Sequence, residues 1–134
     1  MNKNDEKIQE LVNQYILAIE TQDKALFESL WSTTQPLSLI SIASLYEGKE
    51  AIAQEFLMDK IHQSYASIRL IPEEIKIHYI NDKQAIMIFQ YRTECIKRKT
   101  GEPYGIAGVE TQVAILEDKW KLVHVHYSKK NDMK

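Results

Sequence analysis

The hydrophobic period of this chain changes once, near Ser67, and that change constrains how its elements can pack. Before it, Ile8, Leu11, Val12, Tyr15, Ile16 and Ile19 follow the three-or-four-residue rhythm of one buried helix stripe. After it, apolar residues recur at every second position, as in Ile75, Ile77 and Tyr79. Helices followed by a run of strands make an α+β domain, not the alternation of a parallel sheet.

Asp5 and Glu6 suit the start of the first helix, where negative charge meets the helix dipole. Thr21-Gln22-Asp23 ends it, and Asp23 can cap a second short helix burying Leu26, Phe27, Leu30 and Trp31. Pro36 cannot continue a helix, so Leu37 to Leu45 reads as a short strand or extended segment. Gly48 opens a third helix with Ile52, Phe56 and Ile61 on its buried side. The strands then run from Ile68 to Ile80, interrupted at Pro72, from Gln84 to Lys97, from Tyr104 to Leu116, and from Trp120 to Ser128. Gly105 and Gly108 loosen the third of these, and isolated glycines in strands mark the bulges and bends that a curved sheet needs. A single domain is expected over 1–134, with 1–4 and 129–134 frayed.

The 134 residues suffice for one hydrophobic core, and the apolar share of 44% is ordinary for a globular protein. A net charge of -2, with Lys and Arg spread along the chain, leaves no footprint for nucleic acid and no polybasic patch for a membrane. No apolar run approaches a membrane span, and Met1 to Glu6 has no signal-peptide core, so a cytoplasmic protein is expected. The lone Cys95 excludes an internal disulfide and a cysteine-rich metal site, and no cofactor motif is present.

The densest pattern lies near the end: Glu110-Thr111-Gln112-Val113, then Trp120, then Val123-His124-Val125-His126-Tyr127-Ser128. It resembles the closing strands of the nuclear transport factor 2-like superfamily, in its SnoaL-like branch, and is most similar to the association domain of calcium/calmodulin-dependent protein kinase II. That resemblance implies a cone-shaped, cystatin-like fold, with three N-terminal helices packed on a strongly curved, largely antiparallel sheet. It implies no kinase activity. In the kinase association domain arginines line the pocket; the matching positions here are Tyr91, Gln112 and Tyr127, none of them cationic. Arg92 neighbours Tyr91 and should face the other side of its strand.

The first helix, Val12 to Ile19 followed by Asp23, also resembles that of ketosteroid isomerases. Their oxyanion tyrosine falls on Tyr15, their protonated acid near Glu110, and their general base near Leu39. No acid lies between Trp31 and Tyr46, and proton abstraction needs a base within hydrogen-bond reach. No catalytic residue is therefore assigned. The ligand-binding candidates are Tyr15, Tyr91, Glu110, Gln112 and Tyr127, converging on a neutral, tyrosine-lined pocket for a small hydrophobic or aromatic molecule. Each has a plainer alternative: the tyrosines can simply fill the core, and Glu110 can be a salt-bridged or solvated strand residue. If Glu110 is buried, desolvation should raise its pKa.

His124 and His126 share one strand face, but a zinc site would need a third ligand such as His78 or Glu94, so no metal is assigned. Cys95 reads as a small buried hydrophobe, and Lys97-Arg98-Lys99 as a solvated turn. Met87, Phe89 and Tyr91 occupy one face of their strand, while Ile86 and Ile88 occupy the other. That second apolar face predicts a homodimer. A SnoaL-like enzyme of isomerase, cyclase or hydrolase type is the alternative function, and an oligomerisation domain without a ligand is the second alternative.

Overall fold

A computed structural model describes residues 2–130. Helix α1 (Asp5–Thr21) buries Ile8, Leu11, Val12, Tyr15, Ala18 and Ile19, the stripe visible in the sequence with Ala18 added and Ile16 at its margin. It stops where Gln22 turns left-handed, at φ 56°, and its N–H returns to the Ile19 carbonyl at 3.3 Å. One residue on, the Asp23 carboxylate accepts from the Leu26 N–H at 3.1 Å and starts α2 (Lys24–Ser29). Two three-residue strands follow, β1 (Ser38–Ile40) and β2 (Leu45–Glu47). Gly48 turns the chain at φ +87°, and α3 (Ala51–His62) is wound with the wider π spacing. Ile52, Phe56 and Leu57 are its buried side.

The rest is strand: β3 (Tyr65–Pro72), β4 (Lys76–Asn81), β5 (Gln84–Lys97), β6 (Pro103–Tyr104), β7 (Ala107–Leu116) and β8 (Trp120–Lys129). They form one sheet in the order β2-β1-β8-β7-β5-β3, with β4 and β6 also paired to β5. All pairings but one are antiparallel; β1 runs parallel to β8. The sheet is strongly curled around the helices, as the resemblance implies.

Pro72 does what a proline in a strand must do. It ends β3, which pairs with the second half of β5, and β4 pairs with the first half along the same edge. The break falls at 73–75, opposite the middle of β5. Two parts of the sheet were not visible in the sequence: the β1–β2 hairpin and its parallel attachment to β8. Of the ends expected to fray, Met1 and 131–134 lie outside the described residues, whereas Lys129 closes β8 in register with Gly108. No helix among the described residues is long and apolar enough to cross a membrane.

Trp120 opens β8 with 5% of its surface exposed. Its ring meets Tyr79 edge-on, with centroids 6.5 Å apart, and the Tyr79 hydroxyl donates to Asp5 Oδ1 at 2.5 Å. The pair therefore links the sheet to the start of α1. Trp120→Ala should cost about 3–5 kcal/mol, the usual range for a buried aromatic truncation. Urea melts will measure it; a loss below about 1 kcal/mol would show that the ring contributes little.

Candidate functional site

The concave face of the sheet is built by alternation along β5, β7 and β8. In register, Phe89 lies beside Glu110 and Glu110 beside Tyr127; one step outward, Tyr91 lies beside Gly108 and Gly108 beside Lys129. Gly108 is needed there: a Cβ would sit 2.0 Å from the Ser128 carbonyl oxygen and 2.8 Å from the Tyr91 hydroxyl. The missing side chain lets the Tyr91 ring reach Tyr127, edge to face at 5.8 Å. Phe56 of α3 stacks on the other side of Tyr127 at 5.9 Å.

All five candidate residues are buried on this concave side, but they form two layers. Tyr91 and Tyr127 line a cavity of about 300 Å³, together with Ile19, Phe56, Ile68 and Leu70. Tyr15, Glu110 and Gln112 lie behind it, outside the lining. The Tyr15 and Tyr127 hydroxyls are 2.5 Å apart, and Gln112 Nε2 donates to Glu110 Oε2 at 2.7 Å. Among the described residues Glu110 Oε1 and Gln112 Oε1 have no hydrogen-bond partner. Among the described residues no cation pairs with the Glu110 carboxyl. Burial pushes the Glu110 carboxyl up to about 8, and the neighbouring Gln112 amide and Tyr127 hydroxyl only partly oppose this. Burial likewise raises Tyr15 and Tyr127, and Tyr91 to about 12, with Glu110 adding to each. With its carboxyl raised to about 8, this layer is mostly uncharged at neutral pH: tyrosine hydroxyls, one amide and one protonated carboxyl.

The rim departs from the neutral pocket expected from the sequence. Lys60, from the last turn of α3, and Lys129, from the end of β8, both line the cavity, and among the described residues no carboxylate does. Tyr65 and Tyr104 complete this side, with their rings stacked at 6.1 Å. Arg92 points away, paired with Glu94 at 2.6 Å on the outer surface. Cys95 is 4% exposed yet also lines the cavity, and burial raises its thiol. Tyr65, Tyr104 and Lys129 sit in strands whose alternation could have indicated their facing. Lys60 could not be assigned, because the π winding of α3 departs from the 3.6-residue period.

One further correction and one placement concern charged and polar side chains. The turn at 97–99 is not simply solvated: Arg98 donates to the carbonyls of His62 and Tyr65 at 2.8 and 2.9 Å, and Lys97 Nζ lies 5.2 Å from the Tyr104 ring centre. His124 lies on the convex face, where its Nδ1 is 2.7 Å from Ser38 Oγ, and His126 is beside it. Among the described residues no three His, Cys, Asp or Glu side chains converge on a metal position.

This curled sheet with helices on its concave side defines a nuclear transport factor 2-like cone. It superposes on a nuclear transport factor 2-like superfamily protein from Salmonella enterica serovar Typhimurium with a TM-score of 0.89, at 24% identity over 96% of this chain and 92% of that one. A hexachlorocyclohexane dehydrochlorinase, LinA-type3 from Novosphingobium barchaimii, superposes with a TM-score of 0.79, at 12% identity over 96% and 90%. A cystatin-like protein from Caulobacter vibrioides gives 0.81, at 15% over 98% and 92%. At these identities the likeness shows the fold. No curated protein sequence matches the chain. Residues 4–131 match the family described as the calcium/calmodulin dependent protein kinase II association domain, and the chain belongs to that family.

The raised Glu110 carboxyl has a definite sign in stability. Between its ordinary value of 4.5 and about 8 the folded state holds a proton that the unfolded state has released. Its contribution is therefore full below about 4.5 and falls as pH rises through about 8. Glu110→Gln, which keeps the uncharged shape, should gain on the parent as pH rises across this window. The gain should reach a few kcal/mol, a tenfold change in proton affinity being worth about 1.4 kcal/mol. Urea melts at both ends of the window will show a widening difference; a constant one would mean that Glu110 is ionised in the folded protein.

Proposed function

We propose that this chain is a homodimeric module that binds a small hydrophobic or aromatic molecule in the cone and does not transform it. The observation that carries this reading is the cavity of about 300 Å³ walled by Tyr91, Tyr127 and Phe56. Its size suits a small ligand, and aromatic walls with few polar groups are what such ligands require. Chemistry has less support. Among the described residues the side chains lining the cavity include no carboxylate and no imidazole. The position nearest a base in the isomerase comparison is Leu39, which is fully buried and aliphatic. Glu110 can hold a proton but has no partner base across the cavity.

The dimer reading rests on the convex face. Glu47, Ser38, His124, Val113, Ile86 and His78 form one row across it, and Ile40, His126, Thr111, Ile88 and Lys76 form the next. The centre of this face is apolar or weakly polar. Beside it, Gln35, Ile80, Ile115 and Val123 line a broad groove in which Ile80 is 58% exposed. A second copy meeting the same patch by two-fold symmetry is the simplest cover. The name of the family, an association domain, agrees with this reading.

Sedimentation at micromolar concentration should give about 31 kDa, twice the chain mass of 15.6 kDa. Ile86→Glu with Val113→Glu should return the monomer, because charges at an interface core are costly. In calorimetry, 2-naphthol should bind the parent, and Cys95→Phe, which extends a ring into the cavity, should abolish binding without altering the mass. A monomeric parent overturns the dimer. Absence of binding by any flat aromatic overturns the ligand reading and leaves an assembly domain. Turnover of a bound ketosteroid would overturn the exclusion of catalysis.

A further inference from the structure

We infer that the cone takes an amphipathic monoanion, apolar end first, and holds its acid group at the rim between Lys60 and Lys129. This rests on the binding reading above and specifies the class of ligand and the direction in which it enters.

The two lysines line the same cavity from different elements, the last turn of α3 and the last residue of β8. Among the described residues neither side chain has a hydrogen-bond or ion-pair partner. Lys129 belongs to the inward-facing set of β8, two residues beyond Tyr127, and is separated from Tyr91 in the sheet only by Gly108. An acid placed here stays partly hydrated, so it keeps most of its solvation while meeting two ammonium groups.

The floor offers the opposite. Tyr127 is hydrogen-bonded to Tyr15, and Glu110 lies behind it with an unpartnered oxygen. An anion pushed to that depth would lose its water, find no cation, and face a carboxyl whose ionisation would repel it. A neutral ring loses nothing comparable there and gains contact with Phe56, Ile68, Leu70, Tyr91 and Tyr127. The polarity gradient of the cavity therefore runs from a neutral, apolar interior to a cationic mouth, and a ligand with the matching gradient lies along it. A planar apolar body with one carboxylate or sulfonate on a short stem has that form. A compact dicarboxylate does not.

The test compares naphthalene-2-acetate with naphthalene-2-acetamide by calorimetry, on the parent and on Lys60→Gln with Lys129→Gln. The parent should bind the acid about tenfold more tightly than the amide at low salt, in keeping with one or two charge-assisted contacts at a wet rim. The preference should shrink as salt is raised. The double variant should bind acid and amide with equal affinity. Equal binding of both compounds by the parent overturns the rim assignment and leaves the binding reading intact. A preference for the acid that survives both substitutions places the anion elsewhere and also overturns it. Failure of both compounds to bind at millimolar concentration overturns the binding reading itself.

Discussion

The structure depends on one long strand serving two partners on the same edge. β5 has 14 residues and pairs first with β4 and then with β3, while its other edge is held by β7 from Gln84 to Arg92 and by β6 at Cys95 and Ile96. A sheet of this length twists and coils. Where the edge partner is broken, at Pro72 and the three residues after it, the coil can tighten. The bend turns one sheet into a cone, and the inner alternate residues of β5, β7 and β8 then face one another as well as the helices. Burial of α1, the polar layer and the cavity all follow from that curvature.

The helices fill one end of the cone and not the other. Towards the start of β5 and β8, Ala85, Met87, Trp120 and Leu122 pack with the buried stripe of α1 and with Phe27 and Trp31. Towards the other end, Gly108 removes a side chain from the sheet, and the volume passes to Tyr91 and to the cavity. Tyr15, Glu110 and Gln112 form the boundary between the two. A buried carboxyl with an orphan oxygen is a poor way to stabilise a core. Its cost is moderated because it stays protonated, which also keeps the boundary free of charge.

The elements were legible because each carries its own period or punctuation. α1 follows from Ile8 to Ile19, the start of α2 from Asp23, and the β3–β4 break from Pro72. Both ends of β5 fell where the sequence placed them, at Gln84 and Lys97. The pairing of β1 with β8 was not legible, since three residues joined to a strand more than eighty positions away leave no local trace. Within the site, the burial of Tyr15 followed from its helix stripe, and Tyr91, Gln112 and Tyr127 followed from the family resemblance, while the burial of Glu110 was left open. Their separation into a lining pair and a layer behind it did not, because that depends on which gaps Phe56 and Gly108 leave. Lys60 and Arg98 were missed for a related reason: a long cationic side chain can lie flat, turn outward or cross to another element, and only its surroundings decide.

The charge pattern of the cone is easier to understand from what each layer can neutralise. The deep hydroxyls of Tyr15 and Tyr127 are held well above their ordinary pKa by burial, so they remain neutral donors. Glu110, raised to about 8, remains neutral with them at physiological pH. Donors that are already engaged with one another have little to offer a ligand's polar group, and a charge placed among them would pay the full cost of desolvation. The lysines are at the other extreme. Their ammonium groups stay wet, and their apolar stems can extend the hydrophobic wall outward. In the binding reading proposed above, a neutral floor beneath a mouth that carries two lysines would select by orientation as well as by size. Tyr91, Gln112 and Tyr127, the positions at which the family resemblance implies arginines, are uncharged, and the cations that line the cavity among the described residues are Lys60 and Lys129.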